Sequence, residues 1–164
     1  MRAAMCSLWV TVLAGVLSPS VAEAGQAACR ELRIDAMYWA PPVTGSWTLI
    51  VDGDAAVVSA GEKEHRFRLS GDACSELIRV VNQEAFFALR ASYGTPVIDG
   101  GMRNLKIGIG KRQHAVAIPT DLSVAAEDRA AVKRAVRVWI AVRALFNVAE
   151  AVDSRDRDRA FLKE

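Results

Sequence analysis

Two periods run through this chain, and the order in which they follow one another leaves few folds open. Every second residue carries the apolar character at Leu32, Ile34, Ala36 and Tyr38, across 46–51 (SWTLIV) and 55–60, at Leu105, Ile107 and Ile109, and at His114, Val116 and Ile118. Successive side chains of an extended backbone point to opposite sides, so these stretches are strands with one buried face. The period lengthens to three and four at Cys74, Leu77, Ile78 and Val81, and again at Val132, Ala135, Trp139, Val142, Phe146 and Ala149, with Val138 and Leu145 widening the second stripe. Each set is one face of a helix. Asp52-Gly53-Asp54 joins the second and third alternating stretches as a tight turn, because glycine accepts the positive φ that hairpins demand, and Gly110-Lys111-Arg112-Gln113 joins the last two. Alternating strands need cover on one side, and each helix has a single apolar stripe. The expected fold is therefore α+β, an antiparallel sheet of about five strands built from hairpins with two helices packed on one face.

The ends of these elements are legible to different degrees. Ser70 is a suitable cap for the first helix and Asp72 suits its first turn, where exposed backbone N–H groups favour a negative charge. Phe86, Phe87 and Leu89 follow as a short turn that plugs one end of the core, and 93–101 reads as loop. The second helix is expected to start from Asp121 or Ser123 and to run for roughly 25 to 30 residues. Val136 and Ile140 fall outside its main stripe, and they either lie under the end of the chain, the favoured reading, or meet a partner. The stretch 65–69 admits two readings, a fourth strand running back from the turn at 61–64 or a bulged continuation of the third.

The N-terminus bears on the compartment. Arg2, the apolar run 3–17, the break at Ser18-Pro19-Ser20 and the small-residue site Ala22-Glu23-Ala24 together read as a secretory signal peptide over 1–24. The run is shorter than the roughly 20 apolar residues of a membrane span, and the cysteine that a lipid anchor needs after Leu13-Ala14-Gly15 is replaced by Val16. Cleavage leaves about 140 residues, the size of one domain, expected over 25–152, with the charge-alternating 153–164 (DSRDRDRAFLKE) as a disordered tail. The chain is expected in the periplasm or outside the cell, with no stable membrane span after cleavage, because Arg137, Arg143, Asn147 and Glu150 interrupt its most apolar helix. Removal of the leader takes Cys6 with it and leaves Cys29 and Cys74. In an oxidising compartment one pairing remains, Cys29 with Cys74. That pairing requires 65–69 to be a returning strand, since only a helix that follows four strands starts at the end of the sheet where Cys29 sits.

Motifs for chemistry are missing in turn. Gly108-Ile109-Gly110-Lys111 falls short of a phosphate loop, with Leu105 in place of its first glycine and Arg112 in place of the magnesium-binding hydroxyl. Asp52-Gly53-Asp54 lacks the further oxygen ligands of a calcium loop. His65 and His114 are the two histidines, and neither has a second one at metal-ligand spacing. There is no Gly-x-Ser-x-Gly elbow and no Cys-x-x-Cys. These patterns imply no catalytic residue, metal or cofactor, and a formal charge of +2 implies no nucleic-acid partner. The binding candidate is Tyr38-Trp39-Ala40-Pro41-Pro42, where Tyr38 and Trp39 stand beside the stiff pair Pro41 and Pro42 at a strand end, good contact chemistry for another protein if exposed; the other reading, and the favoured one, is an aromatic lid packed on the core edge.

The order of elements resembles that of small exported bacterial domains of uncharacterised function. Through Ala85-Phe86-Phe87-Ala88-Leu89 and the stretch 106–118, within a region of about 31–145, the chain is also distantly similar to emfourin-type inhibitors of thermolysin-like metalloproteases. The resemblance implies a sheet-and-helix domain without a catalytic centre, and it carries over no inhibitory residue. The long last helix and charged tail depart from that pattern. The expectation is an exported, non-catalytic domain that binds a protein, with protease inhibition as its most concrete form. The alternative is a hydrolase or small-ligand binder whose site is scattered along the chain.

Overall fold

The computed structural model describes residues 26–27, 29–39, 46–94, 101–146 and 152–163, and the side chains of the last segment from 158 onward. The segment 1–24, read from the sequence as a signal peptide, lies outside the described residues. Six strands form one antiparallel sheet: β1 (Leu32–Trp39), β2 (Trp47–Asp52), β3 (Ala55–Ala60), β4 (Lys63–Arg68), β5 (Met102–Ile109) and β6 (Arg112–Pro119), in the spatial order β4-β3-β2-β1-β5-β6. Helix α1 (Gly71–Gln83) joins β4 to the far side of β1, while α2 (Arg129–Arg143) and α3 (Val152–Lys163) follow the sheet. The fold is α+β, with six strands where alternation alone suggests about five.

The register shows why one face carries the core. Cross-strand partners share a face, and the row Val58–Leu49–Ala36–Leu105–Val116 is buried throughout. Its neighbour Tyr38 stands between Trp47 and Arg103 in the next row. Onto this face α1 brings Cys74, Leu77 and Val81, and α2 brings Val132, Ala135, Trp139 and Val142, all buried. Trp139 stacks on Trp47 at a centroid distance of 5.1 Å, and Phe146 meets the Trp47 edge at 4.8 Å while remaining half-buried.

The stretch 65–69 is resolved in favour of a returning strand. Gly61 takes φ 59°, and β4 pairs along its whole length with β3. Because β4, three strands over, ends at the same end of the sheet where β1 starts, α1 begins at that end too. Ser70 caps it by accepting from Ala73 N–H at 3.1 Å. Cys74, one turn in, is disulfide-bonded to Cys29, with their Cα atoms 5.2 Å apart. After Gln83 the chain turns through Ala85 in the left-handed region (φ 47°) into a 3-10 turn, Phe86–Ala88, which buries Phe86 completely and Leu89 nearly so.

The C-terminal third departs from the sequence reading. The second helix starts at Arg129 rather than near Asp121 or Ser123: Asp121 Oδ1 accepts from Ser123 N–H at 3.0 Å in a local turn, and a 3-10 turn (Ala126–Asp128) precedes the helix. Asp128 ties this start to Arg90 through an ion pair. At its other end Arg143, itself buried, donates to the Phe146 carbonyl at 3.2 Å and lies over the Phe146 and Trp47 rings. A cation that binds carbonyls past the last turn closes a helix end. The disordered tail expected over 153–164 gives way to α3, on which Asp158 and Phe161 are buried. Asp158 reaches the fully buried Arg103 of β5 at 2.6 Å, and Phe161 lies under Arg129 and Lys133 of α2, each cation 5.9 Å from the ring centre. Val136, on the same side of α2 as those two cations, is fully buried, while Ile140 is 37% exposed.

Candidate functional site

The sheet face turned away from the helices is left without cover by the described residues. Odd-numbered positions of β1 point there, and two of them are large and apolar: Met37 is 37% exposed and Trp39 43%. On β2 the outward Ile50 is 57% exposed. Their cross-strand neighbours extend the patch, with Met102 opposite Trp39 and Val57 opposite Ile50. Scattered apolar side chains are normal on a surface, whereas several on adjoining strands of one face make a patch. Charges frame it. Arg33 pairs with Asp52 at 2.7 Å, Arg66 with Glu64 at 2.7 Å, and Asp35 and Lys106 occupy opposed positions in the centre.

Strand alternation splits the aromatic pair read from the sequence. Tyr38 points into the core, 4% exposed, with its ring 6.1 Å from Trp47 and 6.4 Å from Trp139. It belongs to the packing rather than to a surface. Trp39 points out, and Pro41 and Pro42 lie outside the described residues. Gly101 helps hold the Trp39 end of β1 in place: a Cβ there would come within 2.5 Å of the Trp39 carbonyl oxygen and 2.4 Å of Thr120 Oγ1, so only glycine allows that approach. Met37 and Ile50 escape a reading that looks only for aromatic residues beside prolines. Their signal is in the sequence all the same, as apolar residues on the polar phase of otherwise alternating strands.

The groups able to do chemistry are held apart or occupied. His65 stands on β4 and His114 on β6, at opposite edges of the sheet and so separated by five strand spacings, roughly 24 Å. His65 is exposed and stacks on Phe67 at 5.8 Å; His114 meets the Phe86 edge at 5.7 Å from within the core face. Among the described residues neither imidazole hydrogen-bonds to a carboxylate or hydroxyl, the first requirement for a general base. A cleft beside the disulfide is lined by Arg30, Asp54 and Ser70. There Asp54 is engaged by Arg68 at 2.5 Å, and the Ser70 hydroxyl is spent on the α1 cap. Glu76 is held below the usual carboxylate range by its hydrogen bonds from Arg79, on the exposed side of α1 and away from either feature. No three metal-binding side chains lie together among the described residues, and no helix described is long and apolar enough to cross a membrane. No protein-family model matches the chain, and no curated protein matches it significantly.

Proposed function

We propose that this protein is an exported, non-catalytic domain that binds another protein through the open face of its sheet, with Trp39 as the anchor. The observation that carries the reading is the apolar patch of Met37, Trp39 and Ile50 on the face opposite the helices. Large aromatic side chains ringed by polar groups are the usual centre of a protein contact. The disulfide between Cys29 and Cys74 supports export, because such bonds persist in oxidising compartments. Inhibition of a secreted metalloprotease is the most concrete version and rests on the distant emfourin similarity. The test is to titrate the purified protein into secreted thermolysin-like proteases and to run it on a panel of ester and phosphate substrates. Stoichiometric loss of protease activity, relieved by Trp39→Ala, supports the reading. Turnover on the ester or phosphate panel would replace it with the hydrolase alternative.

A further inference from the structure

The two edges of the sheet are treated differently. At β6 the chain comes back alongside: Tyr93 N–H donates to the Ala117 carbonyl at 3.0 Å, and Ala117 N–H donates to the Ala91 carbonyl at 2.9 Å. At β4 no described segment does the same. β4 is six residues long, pairs without a bulge, contains no proline and is exposed at every position except the half-buried Phe67. A bare edge of that kind is a template for another strand. Leu69 N–H donates to the Asp54 carbonyl at 2.8 Å. Antiparallel ladders alternate, so counting back by twos turns the backbone groups of Phe67, His65 and Lys63 toward β3 and those of Glu64, Arg66 and Arg68 outward.

On the face that carries Glu64, the charges along this edge reverse sign about its middle, with Lys63 standing on the opposite face. Reading from Glu62 to Arg68, both acids precede His65, and both arginines follow it. We propose that β4 pairs antiparallel with β4 of a second copy of this chain, about a two-fold axis through His65, joining the two sheets into one. In that register the outward-facing Glu64 stands opposite Arg66 of the second copy, twice by symmetry, and Glu62 stands near Arg68 at either end. Lys63 faces the Phe67 ring, and His65 faces itself as a pair without backbone bonds between them. Shifting the axis to Arg66 sets that arginine against its own image, so the charges select the first register. Like-signed lysines or a proline protect an edge against every strand; a pattern antisymmetric about its centre repels most strands but matches its own image. Within one copy, Arg66 and Glu64 already bond at 2.7 Å while largely exposed, and pairing converts the two bonds into one ladder of four charges. Strand-edge pairing alone buries less than the roughly 1,200 Å² of a stable complex, so the dimer is expected to be weak and concentration-dependent.

The inference is independent of the Trp39 patch, which lies on a face and not on this edge. Sedimentation equilibrium of the purified protein from micromolar to millimolar concentration should show the mass moving from one copy to two. Glu64→Arg and Arg66→Glu should each weaken the dimer by roughly tenfold, and the double exchange should restore it, since opposed charges are again unlike. His65→Cys reads the register directly. Residues opposed in a non-hydrogen-bonded pair have Cα atoms about 4.5 Å apart, within disulfide range, so mild oxidation should give a covalent dimer while Lys111→Cys stays monomeric. A protein that remains a monomer at millimolar concentration overturns the proposal. A dimer indifferent to both charge reversals, or His65→Cys that fails to cross-link, overturns it as well.

Discussion

Tyr38 and Trp39 are neighbours on one strand, yet they belong to different parts of the molecule. Tyr38 joins Trp47, Trp139 and Phe146 in a block of aromatic rings with centroid separations of 4.8 to 6.4 Å. Trp39 stands on the other face with 43% of its surface in solvent. The strand geometry that separates them is local; the cover that makes one face a core and leaves the other open is supplied by α1 and α2. An aromatic residue on this sheet is therefore packed on one face and exposed on the other, and adjacent residues of the same type have opposite surroundings.

Substitution on each face sharpens or breaks that contrast. Trp139→Ala is expected to cost about 3 to 5 kcal/mol in urea unfolding, as a large truncation in a packed core; a loss under 1 kcal/mol would mean that α2 does not seal the face. Asp158→Ala should cost about as much, roughly 3 to 5 kcal/mol, because it removes the carboxylate 2.6 Å from the fully buried guanidinium of Arg103. A near-neutral result would detach α3 from the core. Replacing both Cys29 and Cys74 by serine removes a cross-link between residues 45 apart and should lower stability by about 4 kcal/mol on the chain-entropy estimate. In the same vein, a thiol reagent added to the unfolded, unreduced protein should find both cysteines blocked. Ser70→Ala removes the cap of α1 and is expected to cost about 1 kcal/mol. Smallest of all is Trp39→Ala, within about 0.5 kcal/mol of the parent, as for surface positions outside any special contact. If it destabilises as much as Trp139→Ala, the open face is not open.

The unequal legibility of the chain has physical causes. Hairpins, the α1 stripe, the Ser70 cap and the Phe86 plug follow from contacts between residues near in sequence, and each was readable from period or turn chemistry. The length of α2 was not: the apolar stripe runs on through Phe146, while the helix stops at Arg143, whose side chain lies over the Trp47 and Phe146 rings. Among the candidate partner-binding residues, Trp39 lies on the open face, Tyr38 is corrected to a core residue, and Pro41 and Pro42 lie outside the described residues. Met37 and Ile50 were visible as breaks in alternation, but their exposure depends on which side the helices chose.

The sequence by itself determined that strands and helices would form, in this order, and that two of its three cysteines, Cys29 and Cys74, fall within that run of elements. Both follow from backbone periodicity and from counting. Whether the cysteines could meet was decided by β4, whose return along β3 starts α1 beside Cys29. The helical end of the chain packs where tertiary structure has already buried Arg103, a charge within the sheet. The helix 152–163 has few apolar residues, and it meets the rest of the chain where Asp158 reaches a guanidinium 55 residues earlier at 2.6 Å and where Phe161 is buried under two cations of α2. Interactions of that range have no local trace, since a charge needs a partner only once the fold has taken water away from it.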